Sequence, residues 1–189
     1  MTVKETIFCG ENYRNYLTTL ARIQLARAGR VNRKLDCSDL VQEVLLQAHV
    51  SEAQFRGATA EEYGAWLRQI LANKLADAQR HFGRNKRDVA LEATYLETME
   101  GSAVCLYTLP VAQQTSPSGH VAREQWGLRL ADGLQTLPED QRMAVELHYV
   151  GEYSLNEIAQ RMERSKPSVA GLLRRGLKSL REAIAATAV

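Results

Sequence analysis

Apolar residues recur every three or four positions over residues 12–87, which is the spacing of amphipathic α-helices. Three helices are predicted there: one that ends near Gly29, one capped by Ser38, and one opened by the capping box Thr59-x-x-Glu62. Their apolar faces should meet in a common core. The predicted core positions are Tyr13, Leu17, Leu20, Leu25, Leu40, Val41, Val44, Leu45, Ala48, Trp66, Leu67, Ile70, Leu71 and Leu75.

The helical spacing fades over residues 88–120, where Gly, Ser and Pro are interspersed with scattered apolar residues. We interpret this stretch as a flexible linker with room for one short helical piece that docks on either neighbour. Helical spacing returns from Val121. The fold class predicted is therefore all-α: two small helical domains, residues 1–87 and 121–189, joined by the linker of residues 88–120.

The second domain is predicted to end in two short helices. Ser154-x-x-Glu157 is a capping box, and Ser165 caps the last helix, which has Pro167 in its first turn. Only residues 163–165 separate the two helices, which is helix-turn-helix spacing. Glu163 stands where many such turns have Gly, so we expect a slightly different turn. The apolar faces predicted to meet are Leu155, Ile158, Ala159 and Met162 against Val169, Leu172 and Leu173.

The distribution of charge favours nucleic acid as the partner of the last helix. The net charge of +2 is too mild to indicate this by itself. Residues 164–181, however, contain no acidic residue, and such a run attracts phosphates. A solvated face on a helical hairpin is the alternative interpretation. The basic residues of this run are Arg164, Lys166, Arg174, Arg175, Lys178 and Arg181.

Other classes of function find little support in the sequence. Cys9, Cys37 and Cys105 are far apart, which predicts free thiols in a reducing cytosol and no metal site. No apolar run approaches a membrane span, so we expect a soluble, cytoplasmic protein. The four histidines are dispersed, and no phosphate-binding loop is present. We expect no enzymatic activity, no cofactor and no small-molecule substrate.

Several stretches, taken together, resemble bacterial sigma factors of the extracytoplasmic-function (ECF) group, within the sigma-70 family. DLVQEVLLQA (39–48), QFRG (54–57) and WLRQILANKLAD (66–77) resemble their region two. LPEDQRMAVELHYVGEYSLNEIAQRM (137–162) and the basic helix after it resemble their region four. The resemblance implies that the chain binds the RNA polymerase core and directs it to promoters, with region two on the minus-ten element and region four on the minus-thirty-five element.

Two other classes of protein stay open at this point. A helix-turn-helix transcriptional regulator would share the last two helices. A sigma mimic that sequesters an anti-sigma factor would share the fold but should lack the basic residues of the last helix. The resemblance also makes an anti-sigma factor a candidate partner.

The resemblance implies a site for the polymerase on the second helix. Asp39, Gln42 and Glu43 are spaced so that they share one polar helix face. By resemblance this face meets the coiled coil of the largest polymerase subunit. Carboxylates that merely stabilise the start of a helix are the alternative, and they explain Asp39 best.

For the minus-ten element, the resemblance implies an aromatic side chain and an amide that hold an unstacked base. Phe55 and Asn73 are the matching residues, and a single-stranded base offers both a ring face and hydrogen-bonding edges. Core packing for Phe55 and a surface position for Asn73 are the alternatives. Arg56, Arg80 and Arg84 are predicted to contact the same element, and a solvated start of the linker is the alternative for Arg80 and Arg84.

In region four the predicted minus-thirty-five residues begin at the start of the last helix, where side chains and backbone N–H groups meet phosphates. Two of these residues are very small, so the two adjacent arginines should carry most of the base reading. The predicted residues are Lys166, Ser168, Ala170, Gly171, Arg174, Arg175 and Lys178.

Overall fold

The computed structural model describes residues 10–28, 36–83, 89–109 and 120–187. Within these ranges all the regular structure is helical, as the all-α prediction requires. The eight α-helices are α1 (Arg14–Ala28), α2 (Cys37–Val50), α3 (Ala60–Gly83), α4 (Val89–Tyr107), α5 (His120–Gln135), α6 (Glu139–Val145), α7 (Leu155–Arg161) and α8 (Lys166–Thr187). Short 3₁₀ turns, Gly10–Tyr13 and Glu52–Gln54, precede α1 and α3, and α6 continues into a π-helical turn, Glu146–Val150.

The helix starts follow from local side-chain chemistry. The Thr59 hydroxyl accepts from the Glu62 N–H at 3.2 Å, while the Glu62 carboxylate accepts from the Thr59 N–H at 3.0 Å, which confirms the predicted capping box. The prediction that Ser38 caps α2 is wrong. Asp36 is the cap, because its carboxylate accepts the Ser38 N–H at 2.7 Å and lies at the positive end of the helix.

Residues 89–107 correct the predicted linker. We predicted one short helical piece in residues 88–120, but α4 is a helix of 19 residues. Tyr95, Met99 and Ala103 repeat every four residues and are buried against α1, α3 and α5. Gly101, one of the residues that predicted a break, lies where an added Cβ would meet nothing within 4 Å, so this glycine weakens the helix without interrupting it.

The apolar core is continuous from α1 to α8. Most predicted core positions are buried, among them Leu17, Leu40 and Leu67, whereas Leu155, which was predicted to face the last helix, is 37% exposed. We call the parts of the chain that correspond to the two predicted domains, residues 1–87 and 121–189, the first and the second block. Helix α5, at the start of the second block, packs on α1, α3 and α4 as well as on α8. The boundaries of the two predicted domains stay a prediction, but the two blocks contact one another directly.

Polar contacts cross the joint between the blocks. Arg22 on α1 donates to the carboxylate of Glu146 at 3.2 Å, and Asn15 donates to Asp132 at 2.8 Å. Glu146 is 3% exposed, and this burial raises the pKa of its carboxyl group, although Arg22 opposes the effect. Arg161 at the end of α7 also donates to the Ala26 carbonyl at 2.9 Å.

A second buried polar network joins α1, α3, α4 and α5. The Arg68 guanidinium donates to the Tyr16 hydroxyl at 2.8 Å and to Glu100 at 2.7 Å, and it lies 4.0 Å from Glu124. The Tyr107 hydroxyl donates to Glu124 at 2.7 Å. Gly64 leaves the room for this carboxylate, because a Cβ at that position would overlap it. The network therefore fixes α4 to both blocks.

Candidate nucleic-acid interface

The helix-turn-helix is built by capping and by a small set of apolar contacts. Ser154 and Glu157 form the predicted capping box at the start of α7. Ile158 and Ala159 of α7 are buried against α8. After the turn, the Ser165 hydroxyl accepts the Ser168 N–H at 3.4 Å, as expected of the cap of α8. The local sequence therefore fixes the start of α8.

Glu163 carries the strain of the turn. Its φ of 52° lies in the left-handed region, which is costly for any residue with a Cβ. The Arg164 N–H donates to the Ala159 carbonyl at 2.9 Å and closes the end of α7. Glycine would adopt this conformation without strain, so the departure noted in the sequence has a structural cost here.

Helix α8 has two opposite faces. Val169, Leu172, Leu173 and Leu180 are buried and project within about 100° of one another, at about 100° per residue. Most of the predicted minus-thirty-five residues lie on the other side, whereas Lys166, in the first turn, projects within about 20° of Leu173. Of these, Lys166, Ala170, Arg174, Arg175 and Lys178 are exposed, and Ser168 and Gly171 are half-buried.

The charges of the basic side chains on this face are little neutralised by neighbouring carboxylates within the described ranges. Among the residues that the structure describes, neither Arg174 nor Arg175 forms an ion pair, and Lys178 is paired loosely with Glu182 at 3.9 Å. The Arg175 guanidinium lies close to Gly171, since a Cβ there would be 3.3 Å from its Nη1. The small residue thus gives the Arg175 side chain room to lie along the helix.

In the first block, an aromatic cluster precedes and begins α3. The Phe55 ring lies 5.2 Å from the Trp66 ring and 5.3 Å from the Tyr63 ring, measured between centroids. Phe55 and Trp66 are only partly buried, so they pack on the core and still present surface to solvent. Arg56 beside them is exposed. The structure therefore brings the predicted aromatic residue to the start of α3.

Asn73 and Arg80 lie on the same face of α3 as this cluster. Trp66, Asn73, Asp77 and Arg80 project within about 60° of one another, and each seven-residue step covers about 10 Å of the helix. The half-buried Asn73 accepts a hydrogen bond from Gln69 at 2.9 Å. We call this row of four residues the α3 stripe. Arg84, which was also predicted to contact the minus-ten element, lies outside the described residues.

Carboxylates surround the Arg80 end of the stripe. The Arg80 guanidinium donates to Glu92 of α4 at 2.9 Å and also to Asp77. These two hydrogen bonds raise the pKa of Arg80, and the bond to Glu92 has the larger effect. Asn73, Asp77, Arg80 and Glu92 line a pocket of about 330 Å³. Sequence reasoning missed Glu92, although the lack of any Lys or Arg from Asp88 to Ala122 was a signal for it.

The predicted polymerase-binding residues share one exposed face of α2. Asp39, Gln42 and Glu43 are all exposed, and Glu43 pairs with Lys74 at 3.4 Å. The same face continues into Leu46 and Val50, which are 63% and 71% exposed. Sequence reasoning missed these two residues, although they continue the helical spacing of the polar three. A face with acids at one end and apolar side chains at the other is suited to a partner protein.

Two other features are absent from the described ranges. No helix within them is long and apolar enough to cross a membrane. No three His, Cys, Asp or Glu side chains in those ranges are grouped so that they could hold a metal ion.

Comparison with known proteins agrees with this arrangement. Residues 128–180, which include α7 and most of α8, match the family model "Sigma-70, region 4". The chain is 26% identical over 147 residues to the ECF RNA polymerase sigma factor SigW of Bacillus subtilis, covering 78% of this chain and 74% of that protein. It is 27% identical over 149 residues to the ECF RNA polymerase sigma-E factor of Escherichia coli (strain K12), covering 79% and 72%.

The chain is therefore similar to sigma factors of the ECF group, and its residues 128–180 match region 4 of the sigma-70 family. A match over 147 residues is longer than everything that follows Arg87, so the similarity to SigW extends into the first block of this chain. The family model covers the helix-turn-helix, and the relatives extend the similarity to the helices that carry the α3 stripe.

Proposed function

We propose that this sigma factor binds the RNA polymerase core and directs it to promoters, with α8 on the duplex minus-thirty-five element and the α3 stripe on the separated minus-ten strand. The observation that carries the proposal is the exposed basic face of α8, opposite its buried face, in a chain of this family. The chain itself performs no chemical step in this account, because the polymerase supplies the chemistry.

Recognition of duplex DNA follows from the geometry of α8. A helix of this kind fits the major groove, where its first turns approach the bases and phosphates. Lys166 and Ser168 would contact the backbone at the start of the helix. Arg174 and Arg175 would supply both phosphate attraction and bidentate hydrogen bonds to guanine. The small Ala170 and Gly171 leave these two arginines as the main readers of sequence.

Capture of a separated strand follows from the α3 stripe. Phe55 and Trp66 offer ring faces on which a base can stack, and Asn73 offers an amide about two helical turns away. Such a site binds a base only when the base has left the duplex stack. The stripe would therefore favour the open promoter by binding the strand after it separates.

Core binding is assigned to the exposed face of α2. Its acidic end, Asp39 to Glu43, suits a basic surface, and its apolar end, Leu46 and Val50, suits an apolar patch next to that surface. Because the core acts in the cytoplasm, that is the compartment we propose. An anti-sigma factor is a further proposed partner, on family membership alone.

The test measures binding of the full chain to purified bacterial core polymerase. We expect Gln42→Ala/Glu43→Ala to weaken binding about 10-fold or more, since interface residues near the centre of a contact carry most of the binding energy. The matched control is Glu52→Ala/Gln54→Ala, which removes the same two side-chain types from exposed positions on the neighbouring 3₁₀ turn. A wild-type chain that does not bind core would overturn the proposed function. Equal losses in the two variants would overturn the assignment to α2.

A further inference from the structure

The face of α3 assigned to the minus-ten strand is already in contact with an acidic helix of the same chain. Helix α4 contains Glu92, Glu97 and Glu100 and no Lys or Arg. Two of these carboxylates bind cations of α3: Glu92 binds Arg80 at 2.9 Å, and Glu100 binds Arg68 at 2.7 Å. An anionic helix thus lies along a helix whose cations are expected to meet an anionic strand.

Helix α4 is also held to α3 by side-chain packing near Glu92. Tyr95 is 7% exposed, and its hydroxyl donates to the Gln79 side chain at 2.5 Å. Met99, one turn further on, is fully buried. Glu92 therefore lies on a helix that is held against α3 by packing. This packing keeps the Glu92 carboxylate close to the Arg80 guanidinium.

The Glu92 carboxylate resembles a DNA phosphate in what it offers Arg80. The carboxylate is planar and the phosphate is tetrahedral, but both have anionic oxygens that accept charge-assisted hydrogen bonds from a guanidinium. The side chains of Arg80 and Glu92 are only 15% and 20% exposed, so the pair is largely shielded from solvent. A phosphate that approached Arg80 would have to displace Glu92 and would be repelled by its charge while it remained.

We infer that the start of α4 is an intramolecular substitute for the DNA backbone, which keeps the Arg80 end of the α3 stripe closed until Glu92 is displaced. The inference rests on the proposed function, because it assigns a mode of regulation to the minus-ten surface. Its consequence is that the free sigma factor binds separated strands more weakly than its basic residues would allow.

The experiment uses the full chain and a fluorescent pool of random single-stranded 20-mers, with binding followed by anisotropy. All proteins carry Arg174→Ala/Arg175→Ala, so that binding through α8 is reduced equally. Glu92→Gln keeps the size of the side chain and a hydrogen-bond acceptor but removes the charge. We expect it to tighten binding about 3- to 10-fold at about 0.1 M salt, because it removes the charge of one of the two carboxylates that bind Arg80, the other being Asp77.

Two matched variants isolate the contact. Glu97→Gln removes the same charge from an exposed position on α4 and should change affinity less than about 1.5-fold. Arg80→Ala combined with Glu92→Gln should lose the gain, because the cation that Glu92 covers is then absent. An equal gain from Glu97→Gln, or no gain from Glu92→Gln in a protein with unchanged thermal unfolding, would overturn the inference.

Hydrogen exchange gives a readout that does not depend on the variants. With DNA bound, amides near the start of α4 should exchange faster than in the free chain, because the helix start must move away from Arg80. Unchanged or slower exchange there, at saturating DNA, would overturn the inference. Failure of either test while the wild-type chain still binds core polymerase would leave the proposed function intact. The reverse pattern, a Glu92 effect without core binding, would overturn the proposed function alone.

Discussion

Helix α3 in the first block and helix α8 in the second both carry cations assigned to promoter DNA, but the two helices surround those cations differently. Arg68, Lys74 and Arg80 of α3 each bind a carboxylate of another helix. Arg174 and Arg175 of α8 are exposed and form no ion pair among the described residues. A count of basic residues therefore says little about how much positive charge a surface offers to DNA.

The difference has a physical origin in the neighbours of each helix. The outward face of α8 has no helix packed over it within the described ranges, so its cations stay in water. Helix α3 is covered on one side by α4, whose charged residues are all acidic. In the proposed account, the first surface binds a duplex without rearrangement, whereas the second exchanges a carboxylate for a phosphate.

The largest effect on DNA binding should come from the open surface. Arg174→Ala/Arg175→Ala should weaken binding to a random 40-base-pair duplex about 10- to 100-fold at about 0.1 M salt, and should reduce the slope of log K against log salt by about two. Fluorescence anisotropy at several salt concentrations measures both quantities. Arg14→Ala/Arg129→Ala removes two arginines outside α8 and is the control. If it weakens binding as much, α8 has no special part in the contact.

The second effect concerns the covered helix and falls on stability. Arg68 is 5% exposed, and its removal would leave Glu124 buried without a cation. Arg68→Ala should therefore lower the free energy of unfolding by about 3–5 kcal/mol. Urea denaturation measures this, with Arg14→Ala as the control. Arg14 pairs with Glu11 near the surface, so its loss should cost less than about 1 kcal/mol. Similar values for the two variants would contradict a structural role for Arg68.

The third and smallest effect is a pH dependence in the same network. Burial raises the pKa of Glu124 above 4.5, although the Tyr107 hydroxyl and Arg68 oppose the effect. The folded chain therefore keeps this proton to a higher pH than the unfolded chain does. At a pH well below 4.5 both states hold the proton and ionisation costs no stability. As the pH rises through the raised pKa, stability is lost.

Glu124→Gln removes this titration. Its free energy of unfolding, relative to that of the wild type, should increase as the pH rises above 4.5, by about 1.4 kcal/mol for each unit of pKa shift. Urea denaturation between about pH 4 and pH 8 measures the trend, and the values at the acidic end are the internal control. A difference between the two proteins that shrinks as the pH rises would contradict the direction of the shift.

Much of the fold could be predicted from the sequence, because its signals are local. The capping boxes at Thr59 and Ser154 and the apolar spacing of α1, α2 and α3 depend on residues a few positions apart. Helix α4 was not predicted in full, because Gly101 and Ser102 suggested a break. Tyr95 and Met99, which hold α4 in place, are stabilised by helices far away in the sequence.

The candidate site also combines features that depend on local sequence with features that depend on tertiary packing. The exposure of Arg174 and Arg175 follows from the spacing of α8 alone. The pairing of Arg80 with Glu92 depends on how α3 and α4 pack, and the continuation of the α2 face into Leu46 and Val50 depends on which side of α2 is left uncovered. Helical spacing and the lack of cations over residues 88–122 are local signals for these residues, but the contacts and the exposure themselves are tertiary.

The most direct measurement is transcription by purified bacterial core polymerase on fragmented genomic DNA, with and without this chain, with the 5′ ends of all transcripts mapped. The account predicts starts that depend on the chain and share two upstream sequence elements, one near minus ten and one near minus thirty-five. Arg174→Ala/Arg175→Ala should abolish most of these starts. If the wild-type chain yields no new starts on any fragment, the central claim is contradicted.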